Sequence, residues 1–225
     1  MYRECFEEPS DRLGFIRKVY GILSVQLSFT AVFCFIVMNS PALAAVVLNL
    51  PLLITVVVMY LMSACALMCC GLDKKVPVNY LILAVFTFCV SWIVSTACIR
   101  YDQATVFSAA VLTSAVVIGL TLYAMFTKTD FTLCGGALYS LGMILLAGAV
   151  LSVFYGPSMN LLYSVFGVFL FSFYLVYDTQ LLIGSKSKNH KRYQIEADSY
   201  ILASVLLYLD IINLFLEILA MFGKK

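Results

Sequence analysis

Residues 200–222 read YILASVLLYLDIINLFLEILAMF. A helix needs roughly 20 apolar residues to cross about 30 Å of hydrocarbon, so this stretch can span a bilayer by itself. Its strongly polar members are ordered. Asp210, Asn213 and Glu217 fall at i, i+3 and i+7, which sets them on one face of a helix whose other faces are apolar. That face is expected to look inward, because an ionised carboxylate inside a bilayer costs about 2.5–3.5 kcal/mol even on mild insertion scales.

Working outward from this segment, the same kind of run recurs along the chain. Spans are expected near residues 19–38, 51–70, 80–99, 104–126, 133–154 and 160–184, with Asn39-Ser40-Pro41 breaking the first and Gly156-Pro157 separating the last two. The fold class is therefore an all-α integral membrane protein, a bundle of about seven transmembrane helices. Domain organisation follows: a short cytosolic segment 1–18, a single transmembrane domain 19–222 and a basic tail 223–225. With 63% hydrophobic and 12% charged residues, the composition lies far from that of a soluble domain. Gly135, Gly136, Gly142 and Gly148 in the fifth span are expected to serve close packing.

The net charge of +2 and the lack of a basic run interleaved with aromatics exclude a nucleic-acid partner. Cys34, Cys65, Cys69, Cys70, Cys89 and Cys98 lie in or at the ends of apolar runs, and read as small packing residues rather than disulfide or zinc-binding partners. Residues 1–18 mix both charge signs without a short apolar core, so no cleavable signal peptide is expected and the first span directs insertion.

Sidedness follows from the basic residues. Eleven Lys and Arg fall in the N-terminal segment and the second, fourth and sixth connections, whereas the opposite connections hold Arg100 alone. Cytoplasmic loops are enriched in these residues, which puts the N-terminus in the cytosol. Lys224 and Lys225 fit only if the last segment re-enters and returns, so seven crossings and six remain alternatives. His190, the single histidine, reads as a solvated loop residue with a secondary pH-sensing role open to it.

Among the twelve acids, three lie within apolar runs: Asp178, Asp210 and Glu217. From the helix rise, Asp178 sits roughly 9 Å and Asp210 roughly 15 Å inside the cytosolic edge of neighbouring antiparallel helices. Two carboxyls can meet there, where desolvation and like-charge repulsion both favour keeping a proton between them. With no Lys or Arg inside a span to neutralise them, a shared proton or a transiently bound cation such as calcium is the simplest compensation.

At these residues the sequence resembles the transmembrane Bax inhibitor motif family, specifically its Lifeguard branch, which includes the Golgi anti-apoptotic proteins. The resemblance runs through Phe15-Ile16-Arg17-Lys18-Val19-Tyr20, Gln26-Leu27, Asn79-Tyr80-Leu81, Tyr101-Asp102 and Gly119-Leu120-Thr121. Its most specific parts are Tyr177-Asp178-Thr179-Gln180 and the nine residues Tyr208-Leu209-Asp210-Ile211-Ile212-Asn213-Leu214-Phe215-Leu216. The resemblance implies a calcium leak from internal stores of the Golgi or endoplasmic reticulum, opened or closed by pH through Asp178 and Asp210, and suppression of cell death. Asn213 and Glu217, on the same face of the last span as Asp210, are candidate path-lining residues. The resemblance implies no enzyme activity and no cofactor beyond calcium as the permeant ion. One departure is Val90, where many relatives carry Glu.

Two enzyme or receptor readings fail on particular residues. An intramembrane aspartyl protease needs Gly-x-Gly before its second Asp, whereas Leu207-Tyr208-Leu209 precedes Asp210. A retinal-type receptor needs a Schiff-base lysine in the last helix, and residues 200–222 contain none. The stronger alternative is a non-conducting regulator that binds inositol trisphosphate receptors or cell-death regulators in the same membrane.

Overall fold

The computed structural model describes residues 9–127, 129–155, 157–183 and 199–222. These form eight α-helices and no strand: α1 Pro9–Asn39, α2 Pro41–Val47, α3 Leu50–Met68, α4 Val78–Cys98, α5 Gln103–Phe126, α6 Gly135–Tyr155, α7 Pro157–Ile183 and α8 Tyr200–Phe222. All but α2 contain a stretch long and apolar enough to cross a membrane. Their outward surface is apolar: Phe107 is 71% and Phe126 80% exposed, which in water would be an aggregation surface and in a bilayer is the lipid face. The protein is an all-α integral membrane protein.

Helix ends follow local chemistry. Ser40 stops the first run as expected, and its hydroxyl then accepts the Leu43 N–H at 3.5 Å to cap α2, with Pro41 in the first turn. Asn49 caps α3 through the Leu52 N–H at 3.4 Å. Two boundaries differ from the expected ones. α1 starts at Pro9, a full two turns or more before position 19, because polar residues there extend the helix beyond its apolar run. The link between the first two spans is itself helical, which a break signal at Ser40-Pro41 does not reveal, since the same residues start a helix as readily as they stop one. Lys128, the basic connection with Lys186, Lys188, His190, Lys191 and Arg192, and the tail with Lys224 and Lys225 lie outside the described residues.

Several hydroxyls within the helices are satisfied by their own backbone. Thr55, Ser108, Thr113, Ser114 and Ser140 each donate to the carbonyl four residues back, at 2.7–3.0 Å. In lipid this is the local alternative to an unpaired polar group.

The chain divides into two compact units, one of residues 1–103 with 195–208, the other of 104–194 with 209–225. The first unit is held by a polar ladder. Gln26 Nε2 donates to Thr87 Oγ1 at 3.0 Å, Thr30 Oγ1 meets Ser91 Oγ at 2.9 Å, and Ser95 Oγ donates to Cys34 Sγ at 3.2 Å. Each rung joins residues 61 positions apart, so α1 and α4 run in the same direction and in register. Tyr208 from α8 completes the middle rung, its hydroxyl 2.7 Å from Thr30 Oγ1, and its ring packs edge-on against the buried Phe86 at 6.3 Å.

The second unit packs aromatic rings into glycine seats. A Cβ at Gly142 would lie 2.6 Å from the Tyr174 hydroxyl and one at Gly135 2.7 Å from that of Tyr177, so at these two positions α6 takes in a ring from α7 where it has no side chain. Tyr174 fixes its seat by donating to the Leu138 carbonyl at 2.9 Å. The expected packing role is met by ring seating at Gly135 and Gly142, while a Cβ at Gly148 would make ordinary contact with the Tyr163 ring at 3.4 Å. Gly136 has open space around it.

Candidate functional site

Four consecutive residues of α7, Tyr177-Asp178-Thr179-Gln180, point in different directions around the helix and do separate work in the second unit. Tyr177 covers Gly135. Gln180 holds the segment before α6: its Oε1 accepts the Phe131 N–H at 2.8 Å while its Nε2 donates to the Thr129 carbonyl at 2.9 Å. Thr179 is fully buried. Asp178 turns to α8, where its carboxyl is hydrogen-bonded to that of Asp210.

Both aspartates are only 7% exposed. A carboxyl–carboxyl hydrogen bond exists only while one of the two groups carries the proton that makes it. The Asp210 Oδ2 atom is buried without a hydrogen-bond partner among the described residues, and Tyr174 lies near both acids. Two carboxyls so placed can share one proton, and the Asp210 Oδ2 atom is then left as an open acceptor. No group of three or more His, Cys, Asp or Glu side chains that could hold a metal comes together among the described residues.

Further along α8 the inward face continues as its i, i+3, i+7 spacing predicts. Asn213 and Glu217 are half-buried. The Glu217 carboxyl lies in a notch of α7: it is hydrogen-bonded to the buried Ser164, and a Cβ at Gly167 would come within 2.7 Å of its Cδ. Sequence reading found Glu217 but missed both residues that hold it, since an isolated Gly or Ser inside an apolar run carries no signal of its partner.

A helical integral membrane protein in which two buried aspartates meet on the last two helices is thus the class this fold and site define. The family model described as "Inhibitor of apoptosis-promoting Bax1" matches residues 12–225, and the chain belongs to this Bax inhibitor family. It is 33% identical to human "Protein lifeguard 3" over 98% of its own length and 71% of that protein's. It is 36% identical to Arabidopsis thaliana "Protein LIFEGUARD 4", covering 99% of this chain and 89% of the relative. Mouse "Protein lifeguard 4" is 35% identical over 97% and 89%.

Proposed function

We propose that the protein is a pH-sensitive calcium leak of Golgi or endoplasmic reticulum membranes that lowers store calcium and suppresses cell death, with Asp178 and Asp210 as the proton-sensing gate. The observation that carries this reading is the juxtaposition of two buried carboxyls, Asp178 of α7 and Asp210 of α8. Losing the shared proton replaces an attraction by repulsion between two ionised groups, which drives α7 and α8 apart locally and admits water and cation. Calcium takes six to eight oxygen ligands in a stable site. Two carboxylates supply fewer, so they would hold the ion only in passing, as a leak requires. Asn213 and Glu217 extend the polar face along the rest of α8. The family's description, an inhibitor of apoptosis-promoting Bax1, supports the cell-death role.

The N-terminus and the Lys74-Lys75 connection face the cytosol, an orientation supported by the distribution of Lys and Arg. The deciding experiment is calcium flux through the purified protein in liposomes. Flux that depends on Asp178 and Asp210 supports the leak. Absence of flux at every pH would overturn it and leave the non-conducting regulator, which acts by binding calcium-release channels or cell-death regulators.

A further inference from the structure

The described cysteines divide into two sets. Cys34, Cys89 and Cys98 are buried, while Cys65, Cys69, Cys70 and Cys134 are exposed, and all are free thiols. Three of the exposed four gather at the C-terminal end of α3. The N–H groups of Cys69 and Cys70 both return to the Cys65 carbonyl, at 2.8 and 3.2 Å, and close the helix. Gly71 then turns the chain at φ +62°, a left-handed conformation that glycine adopts without steric cost. Lys74 and Lys75 follow. The membrane-spanning stretch ends at Met68, so the Cys69 and Cys70 sulfurs lie between the last apolar turn and the first ammonium groups, at the boundary of acyl chains and headgroups. Behind them α3 offers an open apolar strip, with Met62 67% and Leu61 58% exposed.

We infer that Cys69 and Cys70 are a site of S-acylation by a long-chain fatty acyl group, whose chain lies in the lipid along the exposed face of α3. In the net reaction a cysteine sulfur attacks the thioester carbonyl of long-chain acyl-coenzyme A. The new sulfur–carbonyl bond forms, the old one breaks, and coenzyme A leaves as its thiol with the cysteine proton, so no oxidant or reductant is needed. Juxtamembrane cysteines beside basic residues are the usual acceptors of this modification. Cys65 lies about 6 Å deeper by the helix rise, away from the aqueous donor. The site requires Lys74 and Lys75 to face the cytosol, and in that respect rests on the orientation proposed above.

The full-length protein, expressed in eukaryotic cells fed a long-chain alkynyl fatty acid, tests this. The expected result is a hydroxylamine-sensitive label that falls to background in the Cys69→Ser, Cys70→Ser double variant and persists in Cys134→Ser. Wild-type elution of the double variant in detergent shows that lost label does not come from misfolding. A wild-type protein without hydroxylamine-sensitive label overturns the proposal, as does label that survives in the double variant and vanishes in Cys134→Ser. A membrane-impermeant maleimide applied to sealed microsomes after hydroxylamine should reach Cys70 from the cytosolic side. Labelling only after permeabilisation overturns both the site and the orientation, while the liposome flux test of the leak is decided independently.

Discussion

The Tyr208 hydroxyl lies 2.7 Å from that of Thr30, a bond between residues 178 positions apart in the chain. It ties the first part of α8 to α1 at a point where Thr30 also meets Ser91, so three helices share one buried hydroxyl cluster. Polar contacts of this kind, rather than apolar burial, specify which helices associate in lipid.

Removing either partner should therefore be felt through the other. Tyr208→Phe and Thr30→Ala are each expected to lower stability, with a coupling energy of about 1 kcal/mol in a double-mutant cycle, near the upper half of the range measured between membrane helices. Unfolding in detergent or bicelles measures it. Additive effects of the two substitutions would show that the bond contributes nothing of its own.

How far this was legible beforehand depends on the kind of signal. Length and apolarity place seven helices because both are local properties, and the acids stand out because a charge in an apolar run is costly wherever it falls. The Asp178–Asp210 approach was within reach of simple helix-rise arithmetic. The α1–α4 ladder was not, although its trace is visible afterwards as polar residues every fourth position, Gln26, Thr30 and Cys34 against Thr87, Ser91 and Ser95. Each set alone looks like hydroxyls bonded to their own helix, and only the tertiary pairing gives them register. The Tyr174 seat on Gly142 and the Glu217 notch at Gly167 were hidden for the same reason: a glycine's role is written in what approaches it.

Those seats give a contrast among glycines. Gly142→Ala must push the Tyr174 hydroxyl from its bond to the Leu138 carbonyl, and a loss of about 1–3 kcal/mol is expected from overpacking. Gly136→Ala meets nothing within 4 Å and should be neutral or stabilising by up to about 1 kcal/mol, as alanine is the better helix former. Thermal unfolding of the two variants side by side checks the ordering. Equal effects would remove the ring-seat interpretation.

Gly167→Ala acts on the third acid. Its Cβ would collide with the Glu217 carboxyl, forcing that side chain out of its bond with Ser164. If Glu217 lines the calcium path, Gly167→Ala and Glu217→Gln should both change flux amplitude while leaving the pH at which flux changes in place, because neither touches the aspartate pair. A shift of that midpoint in Glu217→Gln would instead make Glu217 part of the sensor.

The last expectation concerns the sign of the pH response. In the proposed closed form the two adjacent carboxyls share one proton, and the hydrogen bond it makes draws α7 and α8 together at that level. Acid on the cytosolic side keeps this form, and alkali removes the proton and leaves two like charges, so flux should fall as cytosolic pH falls. A hydrogen bond involving an ionised group is worth about 1.5–3 kcal/mol, enough to change the ratio of open to closed forms by roughly tenfold or more. Asp178→Asn separates this from the opposite sign, in which ionised carboxylates bind calcium tightly enough to block its exit and acid relieves the block. An amide donates to Asp210 whether or not that carboxyl is ionised, so the closing mechanism expects low flux with a flattened pH profile in the variant. The blocking mechanism expects high flux at every pH, since one of the two calcium-binding charges is gone. Liposome flux across a pH series on the cytosolic side, in wild type and Asp178→Asn, gives four numbers per pH pair that cannot satisfy both. A wild-type leak that grows steadily with acid would overturn the closing mechanism outright.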